Sequence, residues 1–219
     1  MSGARLGSIA GWVTLAGILV FEVAGPTVVA GNRVTGTTDR AAISAYYEHG
    51  ELLWFALGGF ILVIVFVLFA VLLREELASN TVARRLANVG LALAVAAVPL
   101  LLLKTALQMS LVEAVAAGVD PLPLFLSWDY VYNAGVYALE AGYPVAFSLA
   151  MARQPGFPRW LPVFGVIVGA LQLVNMTSLV IGLPDAATLP GNLAFAVWLA
   201  ATAYGLGRRA RLTAVSVTA

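Results

Sequence analysis

The sequence predicts an all-α integral membrane protein, a bundle of six transmembrane helices with both termini in the cytoplasm. Three observations lead to this prediction. Hydrophobic residues make up 61% of the 219 residues and charged residues only 11%, with a mean hydropathy of +0.94. Long apolar runs recur along the whole chain. Arginine is concentrated in alternate connections between those runs.

Six apolar stretches are long enough to cross a hydrocarbon core of about 30 Å, which takes roughly 20 helical residues. They leave no room for a second domain, so we expect residues 1–219 to form one transmembrane domain. Short connections between most of the stretches predict antiparallel neighbouring helices. The predicted spans are about 9–30, 51–73, 86–112, 130–152, 160–182 and 189–207.

Basic residues set the orientation, because Lys and Arg are retained on the cytoplasmic side during insertion. Nine arginines fall near the termini and after the second and fourth spans, whereas only Arg33 and Arg40 fall on the other side. This alternation predicts a multi-pass protein of the plasma (inner) membrane with both termini on the cytoplasmic side. The first span also fits a secretory signal cleaved after Ala30, which would leave five spans in the same orientation, but we expect it to be retained.

The longest connection, about 31–50, is predicted to be extracytoplasmic and partly helical. The Asp39 carboxylate can accept free backbone N–H groups at the start of a helix over RAAISAYYEH. Aromatic residues near the span ends are predicted at the headgroup level, where amphipathic rings are favoured. They are Tyr46, Tyr47, Trp54, Phe55, Trp128, Tyr130, Tyr132 and Trp160.

Glycines with GxxxG spacing occur in two of the spans. They are Gly7 with Gly11 and Gly165 with Gly169. Because this spacing lets helix backbones approach closely, we expect both pairs at helix contacts.

Three charged residues lie inside the predicted spans at similar depth. Counting about 1.5 Å per residue puts Glu22 and Lys104 roughly 4 and 8 Å from the midplane on the outer side, with Glu140 close to it. Since a central charge costs about 2.5 to 3.5 kcal/mol on insertion scales, we expect Lys104 to pair with Glu140 or with Glu22. Pro26 and Pro144 lack the N–H that would bond the carbonyls of the two glutamates, which adds a need for polar partners.

Other polar residues at similar or more outward depth predict a polar cavity that opens to the outer side. Gln108 lies one turn from Lys104, which favours an internal polar stripe over a lysine that snorkels outward. The predicted cavity residues are Glu22, Lys104, Gln108, Asn133, Tyr137, Glu140, Gln172 and Asn175, and Asn192 opens the sixth span nearby. The residues predicted at the cavity mouth are Tyr46, His49 and Glu51.

The sequence lacks the common catalytic and metal-binding motifs. With no Cys and one His, it has no thiolate metal site and no haem held by two histidines. No Ser-His-Asp set, phosphate-binding glycine loop or HExxH motif occurs, so neither a metal nor a cofactor is predicted. Whether the protein is an enzyme stays open. If it is, Glu22 and Glu140 are the deep acid or base candidates, with Lys104 as the neighbouring positive charge.

The stretch GFPRWLPVFGVIVGALQLV, residues 156–174, follows a span and a short basic turn. With Pro-Arg-Trp-Leu ahead of a glycine-containing apolar helix, it resembles a bacterial family of six-helix membrane proteins of unknown function. The resemblance covers most of the chain in span order. It implies the six-helix fold, and it implies no catalytic residues because the family has none established.

Three classes of function are compatible with these features. We favour a protein whose outward-facing cavity binds or transports a small lipophilic or amphipathic molecule. The alternatives are an intramembrane acid/base enzyme, an isomerase or cyclase acting on an isoprenoid-like or lipid substrate, and an accessory subunit of a membrane complex. The predicted partners are the lipid bilayer, a small lipophilic ligand, and further copies of the chain or other subunits. Nucleic acid is not predicted as a partner, because the arginines serve as topological anchors.

Overall fold

The computed structural model describes residues 2–31, 34–152, 154–181 and 188–218, without the side chains of 179–181 and 215–218. Two of the predicted orientation markers, Arg33 and Arg153, lie outside the described residues. Throughout those ranges, all regular structure is helical. The helices are α1 (Gly3–Ala30), α2 (Arg40–Tyr47), α3 (Leu52–Leu77), α4 (Thr81–Ala116), α5 (122–151), α6 (Leu161–Ile181) and α7 (Leu189–Thr218).

Helices α1, α3, α4, α6 and α7 are long and apolar enough to cross a membrane, which indicates a membrane protein. The remaining predicted span, 130–152, lies in α5. This helix is continuous over 122–151, but Asp129, Asn133 and Glu140 make it less apolar than the others. The all-helical fold is therefore confirmed, and a sixth crossing by α5 stays a prediction.

Helix starts follow from the local sequence. The Asp39 carboxylate accepts the N–H groups of Ala41 at 2.9 Å and Ala42 at 3.3 Å, which confirms the predicted start of α2. Asn80 starts α4 in the same way, by accepting the N–H of Ala83 at 2.9 Å. Both side chains satisfy N–H groups that have no partner within the first turn of a helix.

The six long helices form a closed ring in chain order. Helix α1 packs beside α3, each later helix packs beside the next, and α7 returns to α1. Arg209 of α7 joins the connections at one end of the ring, which we call the termini end. It donates to the carbonyls of Glu76 at 3.2 Å and Pro155 at 3.0 Å, and its Nε lies 3.5 Å from Glu76 Oε2. Helix α2 covers the opposite end, which we call the α2 end.

Both GxxxG pairs lie at helix contacts, as predicted. A Cβ atom on Gly11 would lie 2.8 Å from the Ala203 Cβ, where α1 meets α7. A Cβ atom on Gly169 would lie 2.6 Å from the backbone oxygen of Ala141, where α6 meets α5. Glycine therefore allows these helix pairs to approach more closely than any larger residue would.

Large apolar side chains fill the half of the ring nearest the termini end. One buried cluster takes side chains from all six long helices. Within it, the Tyr143 ring lies 5.4 Å from Phe66, 6.0 Å from Phe195 and 6.2 Å from Trp198, measured between ring centroids. Trp198 Nε1 also donates to Ser148 Oγ at 2.7 Å, so its polar atom is satisfied. We call the four rings Phe66, Tyr143, Phe195 and Trp198 the aromatic plug.

A second buried cluster lies beneath α2. Its members include Tyr46, Tyr47 and Trp128, and the last two are each only 1% exposed. Helix α2 folds over the ring and covers these three residues, so they are not exposed as membrane anchors would be, and their predicted headgroup level stays a prediction. Trp54 and Trp160 remain exposed, as membrane anchors would be.

Candidate functional site

Lys104 forms an ion pair with Glu22 inside the ring. Its Nζ lies 2.5 Å from Glu22 Oε2, and the residue is 3% exposed. The ring of Tyr132 lies 5.2 Å from the same Nζ, measured to its centroid, and faces the charge with its π-electrons. Of the two carboxylates predicted as partners of Lys104, the structure selects Glu22.

The backbone of α1 widens where Glu22 lies. Residues Ile18–Ala24 are π-helical, and the Gly25 N–H bonds the carbonyl of Val20, five residues back. This widening precedes Pro26, which has no N–H to continue a regular α-helix. Gly59 of α3 lies beside the carboxylate, since a Cβ atom there would be in ordinary van der Waals contact with Glu22 Oε1, at 3.5 Å.

A chain of amide side chains, rather than the lysine, holds Glu140. Gln172 Nε2 donates to Glu140 Oε2 at 3.2 Å, and Gln172 Oε1 accepts from Asn175 Nδ2 at 2.7 Å. Asn175 Nδ2 also lies 3.4 Å from Asn192 Oδ1, and Asn192 Nδ2 donates to the Tyr137 hydroxyl at 3.2 Å. The chain of hydrogen bonds thus links α5, α6 and α7.

The ion pair and the amide chain meet at two tyrosines. Tyr137 is hydrogen-bonded to Tyr132, whose ring faces Lys104. Five helices therefore contribute to one connected set of polar side chains, which we call the polar network. Its members are Glu22, Lys104, Tyr132, Tyr137, Glu140, Gln172, Asn175 and Asn192.

The polar network holds more carboxyl groups than cations. Glu22 and Glu140 are its carboxylates, and Lys104 is its ammonium group. Both Lys104 and Glu22 act electrostatically on Glu140. Because the ion pair already uses the lysine charge, Glu140 lacks a cation of its own among the described residues. An unbalanced carboxylate in a low-dielectric interior is costly unless it takes up a proton or a cation.

The amide chain fixes orientation and does not carry protons. An Asn or Gln side chain donates only through its nitrogen and accepts only through its oxygen, so a proton cannot pass along it by simple exchange. The Oδ1 atom of Asn175 is buried and has no hydrogen-bond partner within the described part of the chain. The network therefore has the chemistry of a binding site with fixed donors and acceptors more than that of a proton wire.

The structure brings together most of the predicted cavity residues. Glu22, Lys104, Tyr137, Glu140, Gln172 and Asn175 all belong to the polar network. Gln108 is buried one turn from Lys104. Asn133 instead donates to Asp129 Oδ1 at 2.6 Å. That these residues line one cavity stays a prediction.

The residues predicted at the cavity mouth occupy different environments. Tyr46 is buried in the cluster under α2, and its ring lies 4.9 Å from that of Tyr47. His49 is half-buried and Glu51 is exposed, both just before α3. Their role at a mouth stays a prediction. In the described ranges, no group of three or more His, Asp or Glu residues is placed to hold a metal ion.

Sequence reasoning missed Asp129 of α5. This carboxylate is buried, and it accepts the Gly36 N–H at 3.1 Å as well as the Asn133 amide. It thereby ties the connection before α2 to α5. The spacing of four residues between Asp129 and Asn133, which places them on one helix face, was the signal in the sequence.

Comparisons of the chain with protein-family models, with curated proteins and with solved structures give no match. The resemblance of residues 156–174 to a six-helix bacterial family therefore stays a hypothesis. The function has to be inferred from the polar network and its surroundings.

Proposed function

We propose that the protein binds a small amphipathic molecule whose positive or hydrogen-bond-donating group contacts Glu140, with the proton as the competing occupant of that carboxylate. The observation that carries the proposal is the charge balance of the polar network. Its single ammonium group is taken by Glu22 at 2.5 Å, and Glu140 receives a neutral amide from Gln172. A cationic ligand would supply the missing charge.

The surroundings of Glu140 suit such a ligand. Tyr143 of the aromatic plug lies three residues from Glu140 on α5, on the same side of the helix, and its ring packs among Phe66, Phe195 and Trp198. Aromatic faces attract cations and also accept apolar groups. A molecule with a cationic head and an apolar body therefore finds both kinds of partner on α5.

The direction of access follows from the two halves of the ring. The aromatic plug fills the half nearest the termini end, so a ligand would enter from the α2 end or from the surrounding lipid. We further propose that all six long helices cross the inner membrane of a bacterium, with the termini end in the cytoplasm, because the arginines concentrate there. Entry would then be from the outer side or the outer leaflet.

Exchange of a proton for the ligand at Glu140 would couple binding to protonation. Ionisable residues inside membrane proteins serve this purpose in pumps and transporters. Binding is the primary proposal, and transport would follow if the loaded site can also release its ligand to the other side.

Native mass spectrometry of the protein released gently from its own membrane tests this proposal. We expect a small molecule bound to the wild-type protein and lost from Glu140→Gln. The matched control is Glu113→Gln, which makes the same chemical change at an exposed position on α4 and is expected to keep the ligand. The mass of the molecule would show whether it carries an amine.

Three outcomes would contradict the proposal. A ligand retained in Glu140→Gln would exclude this carboxylate as the contact. A ligand-free wild-type protein that travels with other subunits would favour an accessory role in a complex. A bound molecule that is chemically converted on incubation, with conversion lost in Glu140→Gln, would favour the intramembrane enzyme.

A further inference from the structure

A cavity of about 260 Å³ lies between α1 and α7 near the termini end, on the outside of the ring. Two helix faces form it. Ser8 and Trp12 lie one turn apart on α1. The lining residues of α7 are spaced three or four residues apart, so the residues from each helix form one stripe along its face. The lining residues are Ser8, Trp12, Tyr204, Gly207, Arg208 and Arg211.

The two lining arginines differ from their neighbour Arg209. Arg209 is fixed by Glu76, Gln154 and the Pro155 carbonyl. Arg208 and Arg211 are exposed, and neither forms an ion pair with a described residue. The cavity thus presents two guanidinium groups that have no anionic partner among the described residues.

A neutral donor lies on the floor of the cavity. A Cβ atom on Gly207 would lie 2.9 Å from Ser8 Oγ, so the absence of a side chain there leaves the hydroxyl accessible. No described residue hydrogen-bonds to the Ser8 side chain. Two planar guanidinium groups and a hydroxyl together match the oxygens of a phosphate group.

The cavity continues into an apolar surface toward the middle of the helices. Trp12 and Tyr204 at its edge are half-exposed, and such rings favour the layer between lipid headgroups and acyl chains. Further along the same stripes, Leu19 of α1 and Val197 of α7 are also half-exposed. A ligand with a phosphate at one end and acyl chains at the other fits this sequence of surfaces.

We propose that this cavity binds the phosphate group of an anionic phospholipid from the leaflet at the termini end. Arg208 and Arg211 contact the phosphate oxygens, Ser8 donates to the headgroup, and the acyl chains lie along α1 and α7. Basic pockets between membrane helices bind anionic headgroups by this chemistry. The site is separate from the polar network, so each can be disabled without the other.

The test is a native mass spectrometry titration of the full chain in detergent. The added probes are phosphatidylglycerol, phosphatidylcholine and inorganic phosphate. The Arg208→Gln/Arg211→Gln double variant removes the two lining charges, and Arg84→Gln/Arg85→Gln removes two exposed charges from the start of α4. We expect the wild type and the α4 variant to prefer phosphatidylglycerol by about tenfold, and the cavity variant to lose that preference.

A second variant separates the cavity from its charges. Gly207→Leu keeps both arginines but fills the space next to Ser8, and it should also lose the preference. Equal losses in the cavity and α4 double variants would mean diffuse attraction to the basic end and would overturn the proposal. Displacement of phosphatidylglycerol by an equal concentration of inorganic phosphate would identify a free phosphate site instead. Size-exclusion profiles confirm that each variant is folded.

Discussion

The two halves of the ring are built from the same helices but are filled in opposite ways. Near the termini end, Phe66, Phe147 and Trp198 occupy the interior, and few polar side chains are buried there, among them Ser148, which accepts from Trp198. Toward the α2 end, the polar network alone places two carboxyl groups, an ammonium group, three amides and two phenols in the interior. The same helices thus provide an apolar half and a polar half.

This difference indicates where function lies. Buried polar groups cost free energy, and they persist where partners or ligands satisfy them. The half nearest the termini end is filled mainly by apolar side chains, and it leaves one neutral hydroxyl, Thr202 Oγ1, buried without a partner among the described residues. In the α2-end half, Glu140 lacks a cation of its own and Asn175 Oδ1 lacks a hydrogen-bond partner among the described residues, which is why the proposed ligand is placed there.

The largest expected effect is in the packed half. Trp198→Ala removes a fully buried indole and leaves Ser148 Oγ without its donor, so we expect a loss of about 3 to 5 kcal/mol in the free energy of unfolding. Denaturant unfolding in detergent measures it. Trp54→Ala, at an exposed position, should cost less than about 0.5 kcal/mol. Similar losses in both variants would contradict a rigid packed half.

A double-mutant cycle sharpens the description of the polar half. Lys104→Met leaves the Glu22 carboxylate without its cation and should cost about 3 kcal/mol of unfolding free energy. In the double variant that also carries Glu22→Gln, we expect a coupling free energy of about 1 to 3 kcal/mol. The second change would then recover much of the stability lost in Lys104→Met. The cycle of Lys104→Met with Glu140→Gln is the comparison and should show weaker coupling. Stronger coupling to Glu140 would reverse the assigned pairing.

A smaller effect is expected at the contact that aligns α5 with α6. In Gly169→Ala, the new Cβ atom would lie 2.6 Å from the backbone oxygen of Ala141, so the helices must separate. We expect a loss of about 1 to 3 kcal/mol from overpacking. Gly50→Ala meets no atom within 4 Å and should unfold like the wild type. If Gly169→Ala also unfolds like the wild type, α5 and α6 do not approach each other as closely as described.

The smallest effect is expected at the surface of the α2 end. The Leu122 N–H, and to a lesser degree the Arg40 guanidinium, hold the pKa of Asp120 below 3.8. Because the folded-state pKa is lowered, the contribution to stability is present above the unfolded-state pKa and is lost as the pH falls through the folded-state pKa.

Amide exchange of residues 40–47, corrected for intrinsic rates, measures how firmly α2 is held. We expect slightly faster exchange at about pH 2 to 3 than at about pH 6 in the wild type. Asp120→Asn should exchange at the faster rate at both values. The effect is small because both partners of the Arg40–Asp120 pair are exposed. If the exchange rates of the wild type and the variant change identically with pH, the Arg40–Asp120 ion pair has no role in holding α2.

Hydropathy predicted the helices and the charged residues within them, but not the directions in which side chains point. Each of the six predicted spans lies in a helix to within one residue over the described part of the chain, and Glu22, Lys104 and Glu140 fall in the polar half. The pairing of Lys104 could not be chosen from the sequence, because both glutamates lie at reachable depth. The choice depends on how the helices are rotated about their axes, which hydropathy does not report.

The buried aromatics beneath α2 were missed for a related reason. Tyr47 and Trp128 have the composition and position of membrane anchors, and only the folding of α2 over the ring buries them. That arrangement depends on long-range contacts such as the one between Asp129 and the Gly36 N–H. A sequence pattern read within a window of one helix cannot detect it.

The π-helical segments of α1 and α5 have a consequence for how these helices can change. Each widened turn is equivalent to one residue inserted into an α-helix, which turns everything beyond it by about 100° about the axis. The segment Ile18–Ala24 divides α1 into two parts, and the segment Val131–Val136 does the same in α5. The side chains before and after each segment make different contacts. In each helix, the side chains before and after the π-helical segment therefore point in directions that differ by about 100° around the axis. Removing one residue from either segment would restore a regular α-helix. The side chains on one side of the deletion would then turn away from their present partners, although the hydropathy of the chain would stay almost unchanged.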